Sequence, residues 1–133
     1  MTLAAVEFKD VPAALVAKVK PLLAARYSGR GAVVVSKVEP TTRPARLVTF
    51  RRDGGPRRDV ASETPRIGVN VWGANDDDAD RLVSFLRAVL PLTADGDPIC
   101  KVTEIGGPID VTPASGQARR YFSLEVVARG QQL

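Results

Sequence analysis

Apolar residues along the chain follow two periods. Val11, Leu15, Val19, Leu22 and Leu23 recur at helical spacing behind Asp10, which suits an N-cap, with Pro12 in the first turn. Pro21 is expected to end or bend this helix, although the pattern runs on to about Arg26. A second and stronger helical pattern joins Ala79, Leu82, Val83, Leu86, Val89 and Leu90, with Asn75 or Asp76 as the cap and Pro91 as the stop. Between and after the helices the period falls to two. Strands are predicted over 32–38, 46–52 and 65–72, the last with Ile67, Val69 and Val71 on one face. Further strands are predicted over 99–105 and 120–128. Gly54-Gly55 reads as a two-residue hairpin turn with a short return strand over 57–61. The segment "GGPIDVTPASGQ" reads as a long loop.

Strands that come in runs, rather than alternating with helices, predict an α+β fold. The expectation is one domain over 1–133, with a mostly antiparallel sheet of five to six strands flanked by two main helices. No internal repeat or long linker interrupts it.

Composition changes this picture by exclusion. The chain has 133 residues, 44% apolar and 26% charged, with one cysteine and no histidine. No intrachain disulfide can form, and Ser-His-Asp or Cys-His catalysis and most zinc sites are excluded. No apolar run reaches the length of a membrane span, and the first residues lack the basic stretch of a signal peptide, so a cytosolic setting is expected.

The candidate chemistry is thin. Asp76, Asp77, Asp78 and Asp80 lack the alternate spacing, central glycine and terminal Glu of a calcium loop, and they suit the positive end of a helix. Glu104 and Asp110 flank "IGGP" without a His, Lys or Tyr beside them, which reads as strand-end polarity. Cys100 reads as a buried strand cysteine and Trp72 as a core or interface anchor. No phosphate-binding glycine loop is present.

The arginines stand out. From Arg51 to Asp59 four arginines face two aspartates, a net of +2 out of +4 for the whole chain. With a turn at Gly54-Gly55, Arg52 would oppose Arg57 and Arg51 would oppose Arg58, with one pair on each face. Opposed like charges cost up to about 1 kcal/mol per pair, so such a tip is expected to project into solvent or into an acidic partner. A nucleic-acid module using Arg51–Arg58 is one alternative, though no aromatics interleave the cluster. A small enzyme using Glu104, Asp110 or Cys100 has less behind it.

Three stretches, "RPARLVTFRRDGG", "VNVWG" with its following helix, and "EIGGPIDVTPASGQARRYFSLEV", resemble in order and flavour the tail terminator (tail completion, head-to-tail joining) proteins of long-tailed bacteriophages, particularly those of actinobacteria. The resemblance spans nearly the whole chain and includes no catalytic motif. It implies an α+β virion protein without enzymatic activity, cofactor or metal. Such a protein forms a homohexameric ring that caps the finished tail tube, at the head-proximal end of a siphovirus tail assembled in the host cytoplasm. The implied partners are other copies of the chain, the major tail tube protein and the head-to-tail connector protein, with genomic DNA passing through the lumen and no membrane. Another head-tail connector or minor tail component fits the same pattern. In a ring of head-to-tail contacts, the basic set Arg51, Arg52, Arg57 and Arg58 is complementary to Asp76, Asp77, Asp78 and Asp80 of the next subunit. Loops 39–44 and 106–118 are candidates for ordering on assembly.

Overall fold

The computed structural model describes residues 5–27, 29–114 and 116–133. The elements run β1 (Val6–Glu7), α1 (Val11–Arg26), β2 (Val34–Ser36), β3 (Leu47–Arg52), β4 (Ser62–Glu63), β5 (Arg66–Trp72), α2 (Asp76–Val89), a 3-10 turn (Leu90–Thr93), β6 (Ile99–Asp110), β7 (Arg119–Arg129) and β8 (Gln131–Gln132). The chain is an α+β single domain with a mixed sheet.

β7 is the centre of the sheet. On one side it pairs antiparallel with β4 and β5, which run as one broken strand, and on the other with β6. β5 pairs antiparallel with β3, and β3 pairs parallel with β2. The sheet therefore ends in two unlike edges, a short β2 and a twelve-residue β6. β1 and β8 form a small separate ribbon.

Strand alternation decides which side chains meet the helices. Val48, Phe50, Ile67, Val69, Val71, Phe122, Leu124, Val126 and Ala128 share one face and form a single buried cluster with Val11, Leu15, Val19 and Leu23 of α1 and Leu82, Val83 and Leu86 of α2. The other face has no helix over it and bears Thr49, Arg51, Asn70, Tyr121, Ser123 and Glu125.

The helix ends follow local chemistry. The Asp10 carboxylate accepts the Ala13 N–H at 3.0 Å, and the Asn75 side chain accepts the Asp78 N–H at 2.9 Å. Removing the second cap with Asn75→Ala is expected to cost about 1 kcal/mol, read as a shift in the urea midpoint at unchanged slope. Pro21 does not end α1, which runs unbroken to Arg26; α2 stops at Val89, before Pro91.

Three sequence expectations are corrected. The turn is not at Gly54-Gly55 and there is no return strand over 57–61. The outgoing chain continues past the glycines, where Arg57 bridges Glu63, and reverses at Asp59–Ala61. Asp59 Oδ1 accepts the N–H groups of Ala61 and Ser62, both at 2.8 Å, and so closes an Asx turn. Gly55 makes a kink instead: its φ is +104°, and a Cβ there would run into the backbone of Thr64 and Pro65. The second correction is β6, which extends through Gly106-Gly107-Pro108 to Asp110 where a loop was expected. An edge strand tolerates Pro and Gly because its outer N–H groups need no partner, and β6 accommodates them with bulges between Glu104 and Gly106 and between Gly106 and Ile109. The third is Cys100, which is exposed rather than buried because it sits in the bulge between Ile99 and Lys101.

Candidate functional site

The arginine segment is not an all-charged tip. Because β3 pairs with β5, Arg51 lies opposite Gly68 and Arg52 opposite Ile67, so no arginine opposes another. Arg51 turns to the open face and binds Asp53 at 2.8 Å; Asp53 also accepts the Tyr121 hydroxyl at 2.8 Å. The hydrogen bond and charge of Asp53 push the Arg51 guanidinium up from its ordinary value, and burial followed by the bond to Asp53 raises the Tyr121 phenol.

Arg52 turns the other way, in phase with Val48 and Phe50. Its Nη2 donates to the Gly55 carbonyl at 2.9 Å and pairs with Glu63 Oε1 at 2.8 Å. The Glu63 side chain is 6% exposed and its second oxygen has no hydrogen-bond partner. Glu63 lines an open cleft of about 490 Å³ between the start of α1 and the end of β3. Arg57 stacks on the Phe8 ring at 4.9 Å and donates to the Val6 carbonyl at 3.4 Å. Arg58 is exposed and forms no ion pair among the described residues.

The acidic helix start is likewise occupied from within the chain. Asp78 accepts the Ala74 N–H at 2.8 Å and pairs with Arg46 at 2.9 Å. Burial alone pushes the Asp78 carboxyl up, but the Ala74 N–H and the Arg46 guanidinium outweigh it and hold the carboxyl below its ordinary range. The sign follows: this stabilisation is complete above the unfolded value of 3.8 and disappears as pH falls through the lower folded value. Acid denaturation of Asp78→Asn is therefore expected to lack part of the steep loss seen in the parent below about pH 4. Superimposable acid limbs for the two proteins would contradict it.

Asp76 and Asp80 both reach Arg120, at 3.2 and 2.8 Å, and Asp110 meets the same guanidinium at 3.2 Å. The Arg120 side chain is 9% exposed. Burial tends to lower its pKa, but the bonds from Asp80 and Asp76 win and raise it. Sequence reasoning missed this clamp, which joins the start of α2 to the end of β6. The signal was present: Arg120 stands in the inward phase with Phe122, Leu124, Val126 and Ala128, where a charge needs carboxylates to receive it. Asp77 alone of the four aspartates has no such partner among the described residues.

The structure thus does not bring the arginine segment and the aspartates into contact within one chain, and three of the four aspartates already hold an arginine. Glu104 receives Arg87 in a two-pronged pair at 2.6 and 2.9 Å. Glu104, Asp110 and Cys100 are strung along one strand rather than gathered around a cavity. Trp72 is 4% exposed, and two guanidinium groups stack over its ring, Arg43 at 5.6 Å and Arg119 at 5.1 Å from the centroid. The loop after β6 is tied down beside it: the Gln117 amide donates to the carbonyls of Pro44, Ala45 and Gly73.

Both sheet edges carry apolar side chains in the open. Val34 on β2 is 41% exposed, and Ile105 and Ile109 on β6 are 49% and 56% exposed. Among the described residues no group of three His, Cys, Asp or Glu could hold a metal, and no helix is long and apolar enough to cross a membrane. No protein-family model matches the chain, and no curated protein matches it.

Proposed function

We propose that the chain is a structural assembly protein that closes on itself as a ring and caps the finished tail tube of a long-tailed bacteriophage, ending tube growth and offering the surface to which the head connector joins. The observation that carries the assembly part is the pair of unlike sheet edges, β2 with Val34 and β6 with Ile105 and Ile109. An exposed strand edge is a template for pairing with another chain. Two different edges on one chain favour a head-to-tail contact, and such contacts generate a ring when the rotation closes. The phage part rests on the resemblance of "RPARLVTFRRDGG", "VNVWG" and "EIGGPIDVTPASGQARRYFSLEV" to tail terminators.

The internal pairing of Asp76, Asp78 and Asp80 shifts the proposed contact away from the arginine segment and toward these edges. Arg58 and Asp77 remain as charges that a neighbour could meet. The test adds purified protein to growing tail tubes and measures tube length and end occupancy by electron microscopy. The reading expects rings on tube ends and arrested growth. Tubes that lengthen unhindered with bare ends contradict it. Binding to the connector ring alone would move the chain to a neighbouring head-tail role.

A further inference from the structure

We infer that the helix-free face of the sheet is a binding surface for the phosphate backbone of double-stranded nucleic acid. This deepens the ring reading, in which DNA passes through the lumen, but it needs only the folded chain, so the two fail separately. The pairing register places Arg51 of β3, Arg66 of β5, Lys101 of β6 and Arg119 and Arg129 of β7 on this face. Among the described residues only Asp53 and Glu125 oppose them there, which leaves an excess of three positive charges out of the chain's net +4.

The excess is also free. Arg66, Lys101 and Arg129 are exposed and form no ion pair among the described residues, whereas nine other cations each hold a carboxylate within the chain. Arg119 is held by a neutral partner, the Asn70 side-chain oxygen, at 2.6 and 3.0 Å, so its charge is not cancelled. Arg51 alone of the five is neutralised, by Asp53.

The arrangement fits a polyanion better than a single anion. The cations come from four strands and are spread along the face. Along β7 they are ten residues apart, a span of about 33 Å. A duplex presents one phosphate charge per ~1.7 Å of its axis, so a face of this length meets many of them. Tyr121 and Ser123 of β7, and Thr103 of β6 opposite Glu125, add hydroxyls among the cations. The exposed apolar side chains that the register places on this face, Ile109 opposite Tyr121 and Val34 opposite Leu47, sit on the two edge strands and not at its centre, where a protein interface concentrates its apolar anchors. Backbone contact without base reading is the expected mode, since no side chain here is built to enter a groove.

The test measures anisotropy of a labelled duplex of about 30 base pairs against salt concentration, with the mass of each protein sample followed by light scattering. The parent is expected to bind at low salt and to lose affinity steeply as salt rises. The triple variant Arg66→Gln, Lys101→Gln, Arg129→Gln is expected to bind about tenfold more weakly or worse, with a salt slope smaller by about three. Glu125→Gln is expected to tighten binding roughly twofold to fivefold. Lys20→Gln with Arg26→Gln, both exposed on α1, is expected to change neither. No binding by the parent at low salt would overturn the inference. So would equal weakening by the α1 pair, or binding to anionic lipid vesicles but not to duplex. Unfolding of the triple variant, seen by circular dichroism, leaves the Glu125→Gln direction as the deciding result.

Discussion

Arg52→Ala is expected to destabilise the fold by about 3 kcal/mol, the low end of what breaking a buried pair costs. The two partners differ sharply in exposure: the Arg52 side chain is 37% exposed, but that of Glu63 is only 6% exposed. Losing the arginine therefore leaves a carboxylate that water reaches poorly and whose other oxygen already has no partner. Replacing both residues with apolar ones removes the stranded charge, and such replacements are often nearly neutral. Urea denaturation of Arg52→Ala, Glu63→Met and the double variant checks this. The double variant is expected to recover most of the loss, giving a coupling of about 2 kcal/mol. A double variant no more stable than Arg52→Ala would show that Glu63 holds no uncompensated charge.

Ile105→Glu together with Ile109→Glu is expected to abolish the proposed self-association while leaving the subunit folded. Both side chains are about half exposed in the single chain, so their replacement removes little packing within it, and changes of stability within about 0.5 kcal/mol per site are expected. In a contact between edges, each would bury its remaining exposed surface, worth about 1 kcal/mol. Losing both weakens each contact by about thirtyfold before the cost of burying two new carboxylates is added. Sedimentation velocity, with a thermal melt as the fold control, separates the outcomes. Unchanged assembly would take β6 out of the interface. The bulges and Pro108 of β6 would confine pairing in the proposed contact to short stretches, which would leave the isoleucines to carry more of it than the backbone.

Residues with strong local patterns gave up their structure readily. α2 follows from its apolar stripe and from Asn75, and β5 and β7 follow from strict alternation. α1 was legible too, except that a proline in its interior did not break it; its exposed residues leave room on that face, and packing of Leu15, Val19 and Leu23 against β3 holds the helix together. The Gly54-Gly55 turn was misread because glycine at positive φ serves a kink as well as a hairpin, and only the strand that returns decides between them. Asp59, with its side-chain oxygen on two successive N–H groups, was the better local signal. β6 was cut short because Gly-Gly-Pro breaks a central strand but not an edge, and position within a sheet is a tertiary property.

The charged positions show the same division. Counting charges between Arg51 and Asp59 found the densest basic stretch, yet it could not show that Arg51 and Arg52 point to opposite faces and find Asp53 and Glu63 there. Nor could it show that Asp76 and Asp80 are claimed by Arg120, forty residues or more along the chain. Long-range ion pairs leave no periodic mark. Their one trace is a charged residue in an inward phase, as at Arg52 and Arg120, and that rule would have found both.

A ring closed through unlike sheet edges has a defined mass in solution. The most direct measurement is the mass of the purified protein in solution, by light scattering over a range of concentrations and at two salt levels, with and without polymerised tail tubes. A single closed species is expected, a hexamer by resemblance to tail terminators, either alone or appearing only with tubes. A strict monomer at every concentration, with tubes present and their ends bare, would contradict it.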